Sequence, residues 1–539
     1  MKKNWIILVF LFLPVIIFTV TVDTLFILHT TDIHGHLLPY DYFNDEPSDR
    51  GLAKIFTKVQ EYRAEYNNVL LIDSGDLIQG TPLTYYFNMI EPEVPNPMIL
   101  AMNTMNYDAF TVGNHDIEQG IAVYTRLEKQ SEFPWLSANS CLDDGSTFYS
   151  PYKIIEKNGI KIGILGLTTP GIPMWLDESL YPGITWKDMV ETARIYTDSL
   201  LSETDILLGS FHSGFDENEG LEKCKLMGVP VDNASGLVAE KVPGFDVIFG
   251  GHSHRIVPQN KITISSDETL KINSGCHGIN LGVVRIIYQI DDQEVTILEK
   301  SGWVEPVNNI EPSDELLALS KPYHQKILKY IRKNIGTLTD TLSGENSRFE
   351  DTPLMELINN AQMDFTDADI SFAACFKPEL KIPPGDIKIK DIYNMYPYEN
   401  YLYVVEMTGK QIKDFLEYSA RYYIWDGNEI SANLTMKGYN CDMAEGISYT
   451  VDVTQKVGKR IKDIIITATG EPLDISKEYK VAMNSYRASG GGGHMGAAKA
   501  SQAKVIFKSS KEMRNILADY IIELGGIKLE IDNNWHIEK

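Results

Sequence analysis

The stretch Gly113-Asn114-His115-Asp116 carries the strongest structural signal in this chain, because it follows residues 109–112, an apolar run that predicts a buried strand. Four more motifs place histidine or carboxylate side chains after a predicted strand: Asp32-Ile33-His34, Gly75-Asp76, Phe211-His212 and Gly251-His252-Ser253-His254. In open α/β sheets, ligands bind at the carboxyl ends of the strands. The five motifs therefore predict one site at an edge where strands end.

The side chains of these motifs form a candidate set of metal ligands. Each motif alone could instead be a turn or a helix cap, but five in this order favour a metal centre built from Asp32, His34, Asp76, Asn114, His212, His252 and His254. Mixed nitrogen and oxygen donors suit zinc, manganese, cobalt or iron rather than calcium. Two such divalent ions a few ångströms apart are a device for hydrolysing phosphate esters. Asp76 is the best candidate to bridge two ions, because asparagine and histidine lack two anionic oxygens.

Length and pattern predict more than one domain. A chain of 539 residues is too long for one core. Between residues 23 and 305, short β-rich runs such as 25–29, 69–72, 161–167 and 246–249 alternate with helical stretches such as 51–65 and 187–202, which predicts a layered α/β domain. The formal net charge of −25 argues against a surface that binds a nucleic-acid polymer or anionic lipid. The five cysteines contain no C-x-x-C pair, so we expect buried free thiols rather than a thiolate zinc site.

The N-terminal 22 residues predict export. Lys2 and Lys3 precede an apolar stretch over residues 5–22, the pattern of a secretory signal. Thr19-Val20-Thr21 is a marginal cleavage site, and the apolar stretch is almost long enough to span a bilayer. We therefore expect a periplasmic or extracellular protein in which residues 1–22 are a cleaved signal peptide or, as the alternative, residues 5–22 are a membrane anchor.

A second domain is predicted after a linker. Helical spacing from Asp314 to Ile335 predicts a linker helix within residues 306–345. Asp351-Thr352-Pro353 is typical of a helix start with proline in the first turn. Residues 346–530 then form a second α/β or α+β unit that is rich in tyrosine.

A glycine-rich segment of this second unit is the candidate for substrate recognition: Asn484-Ser485-Tyr486-Arg487-Ala488-Ser489-Gly490-Gly491-Gly492-Gly493-His494. Glycines let a backbone approach a ligand closely, and a tyrosine ring offers a flat face for stacking. Tyr439 is the best candidate for the second face of a sandwich around a nucleobase. The alternative is that both tyrosines are core or rim aromatics and the glycines form a plain loop.

In the first half, the motifs resemble those of the calcineurin-like metallophosphoesterases and, within them, the exported 5′-nucleotidase family, whose pattern is D-x-H, G-D, G-N-H-E/D, H and G-H-x-H. The resemblance implies a β-sandwich flanked by helices and a 5′-nucleotidase-type C-terminal domain. It also implies one metal held by Asp32, His34, Asp76 and His254, and another held by Asp76, Asn114, His212 and His252.

The same resemblance implies a catalytic pair beside the metals. In the family, the histidine at the position of His115 contacts the transferring phosphoryl group and pairs with an acid three residues later, which is Glu118 in this sequence. Asp116 is the alternative partner for His115. The alternative for Glu118 is a solvated residue at a helix start.

The second half resembles one branch of the family, the 2′,3′-cyclic-nucleotide 2′-phosphodiesterase/3′-nucleotidases, through its N-x-Y-R-A-x-G-G-G and Y-N-x-D patterns. This implies that the substrate contacts Tyr439, Tyr486, Arg487, Gly491 and Gly492. Many 5′-nucleotidases carry an arginine where this chain has residues 371–376, Ser-Phe-Ala-Ala-Cys-Phe. That departure weakens the 5′-nucleotidase interpretation, while Cys441, where the branch often has phenylalanine, slightly weakens the cyclic-nucleotide one.

The motifs and the resemblance therefore predict an exported phosphoesterase with two divalent metal ions that hydrolyses small nucleotides, namely 2′,3′-cyclic nucleotides and 3′-nucleotides. The nearest alternative is a 5′-nucleotidase or nucleotide-sugar (UDP-sugar) hydrolase on the same fold. A third possibility is a nucleotide-binding surface protein that has lost catalysis, against which the complete ligand set argues. We expect no nucleic-acid polymer and no protein as a partner.

Overall fold

The structure is a computed structural model that describes residues 20–291 and 294–539. In the first half of the protein, two β-sheets face each other. The first sheet runs in the order Ile262–Ile264, Glu294–Pro306, Asn280–Asp291, Thr21–Thr30, Val69–Asp73, Ala109–Thr111 and Trp135–Leu136. The second runs in the order Ile256–Val257, Leu270–Ser274, Val247–Gly250, Ile206–His212, Ile160–Thr168 and Tyr152–Lys157. Neighbouring strands at the centre of each sheet are parallel, so their carboxyl ends lie at the same edge.

A shared core joins these sheets. Leu25 and Ile27 of the first sheet pack with Leu208 and Phe249 of the second, and all four are fully buried. Helices cover the outer faces: Leu52–Glu65, Pro97–Thr104 and Ile121–Gln130 on one side, and Met189–Glu203 and Ser235–Lys241 on the other. The shorter helices are Pro82–Tyr85, Asn114–Glu118 and Leu221–Met227. The predicted α/β sandwich flanked by helices is confirmed.

Helix Asp314–Ile331 connects the two halves and packs Leu316 and Ile327 into the core of the first. The helical spacing in the sequence continues to Ile335, but the helix ends four residues earlier, at Ile331. The reason is that Asn334–Leu338 pairs as a strand with Gly385–Lys388. This pairing belongs to the second half, so that unit begins before the predicted residue 346.

A mixed sheet organises the second half, in the order Asp442–Glu445, Ile370–Ala374, Glu478–Asn484, Tyr401–Thr408 and Val505–Glu512. Its own hydrophobic core is covered by helices Pro353–Thr366, Ile389–Met395, Gly409–Ser419 and Met513–Leu524. Thr352 is the N-cap residue of the first of these helices and Pro353 lies in its first turn, as predicted. Strand Trp535–Glu538 pairs with Ile447–Asp452, so the unit continues past the predicted end at residue 530.

The predicted signal or anchor falls largely on residues 1–19, which lie outside the described residues, and the first strand begins at Thr21. Across residues 20–291 and 294–539, no helix has the length and hydropathy needed to cross a bilayer. All five cysteines are free thiols, of which Cys224, Cys375 and Cys441 are buried.

Candidate metal centre

Each predicted ligand follows or ends a strand of the sandwich, and the strands bring them together at one edge. Asp32 follows Thr21–Thr30, Asp76 follows Val69–Asp73, Asn114 follows Ala109–Thr111, His212 ends Ile206–His212, and His252 follows Val247–Gly250. Because both sheets present the carboxyl ends of parallel strands here, residues distant in sequence become neighbours.

The ligand atoms form two clusters that share Asp76. One cluster contains Asp32, His34 and Asp76, the other Asp76, His212 and His252, and the ligand atoms within each lie within 4.8 Å of one another. Asp76 Oδ2 lies 3.1 Å from His212 Nε2 and 3.9 Å from His34 Nε2. The carboxylate of Asp76 thus stands between the two groups, a position from which it would be able to bridge two ions.

Asn114 and His254 extend these clusters. Asn114 Oδ1 lies 3.1 Å from His212 Nε2. His254 Nε2 lies 3.3 Å from Asp32 Oδ1 and 3.1 Å from His34 Nε2. Converging imidazole nitrogens and carboxylate oxygens are the donors that zinc and related cations take in proteins. The residues present therefore fit divalent metal ions.

Backbone strain accompanies this convergence. Positive φ angles occur at Asp32 (52°), His34 (48°), Asp76 (60°), His252 (66°) and His254 (57°). The left-handed conformation costs a residue other than glycine of order 1–3 kcal/mol and persists only where the surrounding structure fixes it. The fold holds these side chains in place at the expense of local stability, which is typical of functional sites.

Glycines in two of the motifs allow close contact with ligand side chains. A Cβ atom on Gly113 would lie 2.2 Å from Asp76 Oδ1, and one on Gly75 would lie 2.7 Å from His212 Nδ1. Neither position can accept a side chain without displacing a ligand. This explains the glycines that precede Asp76 and Asn114 in the sequence.

Hydrogen bonds fix which ring nitrogen of His212 and of His34 faces the centre. His212 Nδ1 lies 2.6 Å from the Ser74 carbonyl oxygen, and His34 Nδ1 lies 3.3 Å from that of Gln79. A carbonyl accepts only from N–H, so Nε2 of each ring is left to bind a cation. Asp232 Oδ1 lies 3.3 Å from His252 Nε2 and holds that ring. Sequence reasoning missed Asp232, which has no strand-end signal.

The electrostatics of the centre keep its acids ionised. Burial raises the pKa of Asp76, but the imidazoles of His212, His115 and His34 hold it well below its ordinary value. Burial lowers the pKa of His34 to about 3 against the opposing effect of Asp76. At His212 burial is outweighed by the effect of Asp76, which raises the pKa to about 9. An ionised carboxylate and a neutral imidazole are the forms that bind metal, so a cation bound at His212 would displace a proton.

His115 lies beside the clusters and contacts Glu118. His115 Nδ1 lies 2.5 Å from Glu118 Oε2, and the rings of His115 and His34 are 5.3 Å apart. Asp116, the alternative partner, is buried and accepts backbone N–H groups of Gly113, Asp76, Leu77 and Ile78. Asp116 therefore holds two ligand-bearing loops together, while Glu118 orients His115.

A further histidine, His277, lies close to the same centre. A ligand atom of His277 lies within 4.8 Å of those of His34 and His254. Its ring is 4.8 Å from that of His36, whose Nδ1 bonds the Ile33 carbonyl oxygen at 2.9 Å. His277 also lines the cavity described next.

One cavity of about 530 Å³ connects the metal centre to the second half of the protein. The first half contributes His34, Asn114, His115, Glu118, Trp175, His252 and His254 to its wall. The second half contributes aromatic side chains: Phe376, Tyr398, Tyr401, Tyr403, Tyr439 and Tyr486. Both predicted stacking tyrosines thus face the same space as the candidate metal ligands.

The other predicted substrate residues, Arg487, Gly491 and Gly492, pack against the side chains and backbone that form this wall. Arg487 is 2% exposed and donates from Nε to Asp442 Oδ2 at 2.7 Å and from Nη2 to the Tyr439 carbonyl oxygen at 2.9 Å. A Cβ on Gly491 would lie 2.5 Å from the Tyr486 ring, and one on Gly492 would lie 2.0 Å from Arg487 Nη1. Arg487 borders the cavity, whereas these glycines pack against the tyrosine and arginine side chains.

Comparison with known proteins agrees with this architecture. The family model of the calcineurin-like phosphoesterases matches residues 26–255, and that of the 5′-nucleotidase C-terminal domain matches residues 334–499. The first half thus matches the calcineurin-like phosphoesterases, and the second half matches the 5′-nucleotidase C-terminal domain. Among solved structures, a Staphylococcus aureus protein assigned as a 5′-nucleotidase has the same fold, with a TM-score of 0.80 at 23% identity over 96% of this chain and all of that one.

Three relatives are similar over most of the chain. The trifunctional nucleotide phosphoesterase YfkN of Bacillus subtilis is 30% identical over 95% of this chain, which spans only 38% of the length of that relative. The 2′,3′-cyclic-nucleotide 2′-phosphodiesterase/3′-nucleotidase of Haemophilus influenzae is 27% identical over 94% of this chain and 86% of its own length. UshA of Escherichia coli is 25% identical over 87% of this chain and 86% of its own.

Proposed function

We propose that this protein is an exported phosphoesterase that hydrolyses 2′,3′-cyclic nucleotides and 3′-nucleotides with two divalent metal ions. One observation carries the proposal: a single cavity is lined both by the candidate metal ligands His252 and His254 and by Tyr439 and Tyr486. A phosphate ester bound to the ligand clusters can therefore place its base between aromatic side chains of the other domain.

The proposed ligand sets share one residue. Asp32, His34, Asp76 and His254 would hold one ion, and Asp76, Asn114, His212 and His252 the other. Two ions bound there would neutralise phosphoryl oxygens and lower the pKa of a water molecule. The mixed nitrogen and oxygen donors favour zinc, manganese, cobalt or iron.

His115 is proposed to act on the phosphoryl group or on the leaving oxygen. Its Nδ1 is occupied by Glu118, which leaves Nε2 as the ring nitrogen free for the substrate. A histidine fixed in this way can donate a hydrogen bond or a proton without losing rotational freedom at each turnover.

Tyr439 and Tyr486 are proposed to stack on the nucleobase, while the metal centre holds the phosphate. Phe376 occupies the segment in which many 5′-nucleotidases carry an arginine, and its ring lies 5.0 Å from that of Tyr398. An aromatic side chain at this wall offers a stacking surface and no positive charge for a 5′-phosphate. This supports cyclic and 3′-nucleotides over 5′-monophosphates.

A substrate panel tests the proposal, with released phosphate as the readout for the nucleotides and released UMP and glucose 1-phosphate for UDP-glucose. Phosphate release from 2′,3′-cyclic AMP needs two steps, opening of the cyclic ester to 3′-AMP and hydrolysis of 3′-AMP. We expect both substrates to be used more efficiently than 5′-AMP and UDP-glucose. A preference for 5′-AMP or UDP-glucose would move the protein to the 5′-nucleotidase or nucleotide-sugar hydrolase branch. No hydrolysis in the presence of bound metal would indicate a nucleotide-binding protein.

A further inference from the structure

The two domains touch at a buried polar contact that the catalytic residues do not use. Gln119 Nε2, from the first domain, donates to Glu399 Oε2, from the second, at 3.1 Å. Gln119 is 9% exposed and Glu399 is 7% exposed. Gln119 is the C-cap residue of helix Asn114–Glu118, the helix that carries His115. The contact therefore joins the second domain to the catalytic helix itself.

Glu399 is fixed from its own domain by Arg514. Arg514 Nη2 lies 2.8 Å from Glu399 Oε1 and 3.1 Å from Glu512 Oε2, and the arginine is only 3% exposed. Its guanidinium lies 4.5 Å from the centre of the Tyr393 ring. A buried carboxylate needs such a partner, because an unpaired buried charge is strongly destabilising. Arg514 thus holds the Glu399 side chain ready to accept from Gln119.

Gln119 is fixed from the first domain in the same way. Asn88 Nδ2 donates to Gln119 Oε1 at 3.1 Å, which directs the amide N–H group of Gln119 towards Glu399. On the other side, Glu399 directly follows Tyr398, which lines the aromatic part of the cavity. A short path of contacts therefore runs from the aromatic wall to the helix that carries His115.

We propose that Glu399 is a positioning residue, which docks the second domain on helix Asn114–Glu118 and so sets the separation between the bound base and the reacting phosphate. The inference rests on the proposed function, because only a substrate held at both ends depends on this separation. A substrate without a base, held by the metal centre alone, does not depend on it.

Exchanging the two side chains tests the contact. Gln119→Glu places a carboxylate opposite Glu399 yet can still accept from Asn88, so it breaks only the contact between domains. The double variant Gln119→Glu/Glu399→Gln restores the hydrogen bond with donor and acceptor reversed, and the oxygen of the introduced amide can take the place of Glu399 Oε1 beside Arg514 Nη2. Lys508→Gln, which removes the exposed ion pair with Asp177 between the domains, is the matched control.

We expect Gln119→Glu to lower kcat for 2′,3′-cyclic AMP by about tenfold, the factor that about 1.4 kcal/mol of coupling produces. Hydrolysis of bis(4-nitrophenyl) phosphate and the metal content should stay at wild-type values. The double variant should recover most of the kcat, and Lys508→Gln should change it by less than about twofold, since exposed ion pairs contribute little. A wild-type kcat in Gln119→Glu, or no recovery in the double variant, would overturn the proposal.

Hydrogen–deuterium exchange of residues 397–401, on the Glu399 side of the contact, gives a readout that needs no substrate. Exchange should rise in Gln119→Glu and return to the wild-type rate in the double variant. If the wild-type protein hydrolyses no nucleotide, the proposed function fails, while exchange still reports whether the contact forms. Unchanged exchange in Gln119→Glu would overturn the contact itself, whatever the activity.

Discussion

Asp76 Oδ2 lies 3.1 Å from His212 Nε2, so this carboxylate connects the ligand cluster of one sheet to that of the other. Asp76→Asn keeps the size of the side chain and can still accept the His115 backbone N–H, now 2.8 Å from Asp76 Oδ1. It removes the negative charge that two cations would share. We expect turnover to fall by more than about 100-fold, since changes even outside the ligand shell cost about 10- to 100-fold.

Elemental analysis of the purified Asp76→Asn variant accompanies the activity measurement. Fewer than two bound ions with an unchanged circular-dichroism spectrum would agree with a bridge. Two bound ions and near-normal turnover would show that the bridge assignment is wrong.

His115→Ala should lower turnover by about 100- to 10,000-fold, the usual contribution of a positioned acid or base. Metal stoichiometry should not change, because the ligand clusters are complete without His115. Loss of metal would instead make His115 a ligand.

Glu118→Ala should give a smaller loss of the same kind, because Glu118 acts through its 2.5 Å contact with His115 Nδ1. Asp116→Asn is the comparison variant: since Asp116 accepts backbone N–H groups, its replacement should lower Tm and metal affinity together. Wild-type kcat in Glu118→Ala would remove Glu118 from the catalytic pair.

Tyr486→Ala and Tyr439→Ala should each weaken nucleotide use by about 10- to 100-fold in kcat/KM. Stacking on an aromatic side chain contributes roughly 1–3 kcal/mol per base, and about 1.4 kcal/mol is a factor of ten. Tyr486→Phe keeps the stacking face and should stay near wild type. Equal losses on 2′,3′-cyclic AMP and on bis(4-nitrophenyl) phosphate would show that the tyrosines support the fold rather than the base.

A buried acid outside the active site predicts a pH effect on stability. Burial raises the pKa of Glu356 from 4.5 to about 7, and the neighbouring carboxylates of Asp351 and Asp532 act in the same direction. The folded protein therefore keeps a proton that the unfolded chain releases. This contribution to stability is complete below pH 4.5 and is lost as pH rises to about 7.

Glu356→Gln removes this dependence and can still accept the Asp532 backbone N–H, which Glu356 Oε1 accepts at 3.2 Å. Because solvent screens the charge of exposed Asp532, we expect the variant to gain only about 1 kcal/mol in free energy of unfolding near pH 8. The Tm of Glu356→Gln at that pH should therefore be about 2–4 °C above that of the wild type. Near pH 5 the two proteins should unfold at similar temperatures. An equal Tm difference at both pH values would contradict the raised pKa.

The sequence predicts the sandwich and its ligand residues because both depend on local patterns. Strands such as Val69–Asp73 are short apolar runs, and the ligands follow them directly. Parallel strands then bring these residues to one edge, as is general for α/β sheets. The predicted end of the linker helix was wrong by four residues, because the pairing of Asn334–Leu338 with another strand outweighed the helical spacing.

Contacts between segments that are distant in the chain leave no such local pattern in the sequence. Asp232 reaches His252 from a loop, and Glu399 reaches Gln119 across the domain interface, 280 residues away in sequence. The buried bonds of Arg487 to Asp442 also depend on the folded loop and not on the glycine-rich motif alone. A single sequence carries the local preferences of these residues but not their partners.

The central claim is that a centre of two metal ions drives nucleotide hydrolysis. It is tested most directly by titrating metal into protein from which a chelator has removed the metal. The apoprotein would be titrated with zinc or manganese while hydrolysis of 2′,3′-cyclic AMP and bound metal are measured together. We predict no activity without metal and full activity at two ions per chain. Full activity without metal or with a single ion, or no nucleotide hydrolysis with two ions bound, would contradict the account.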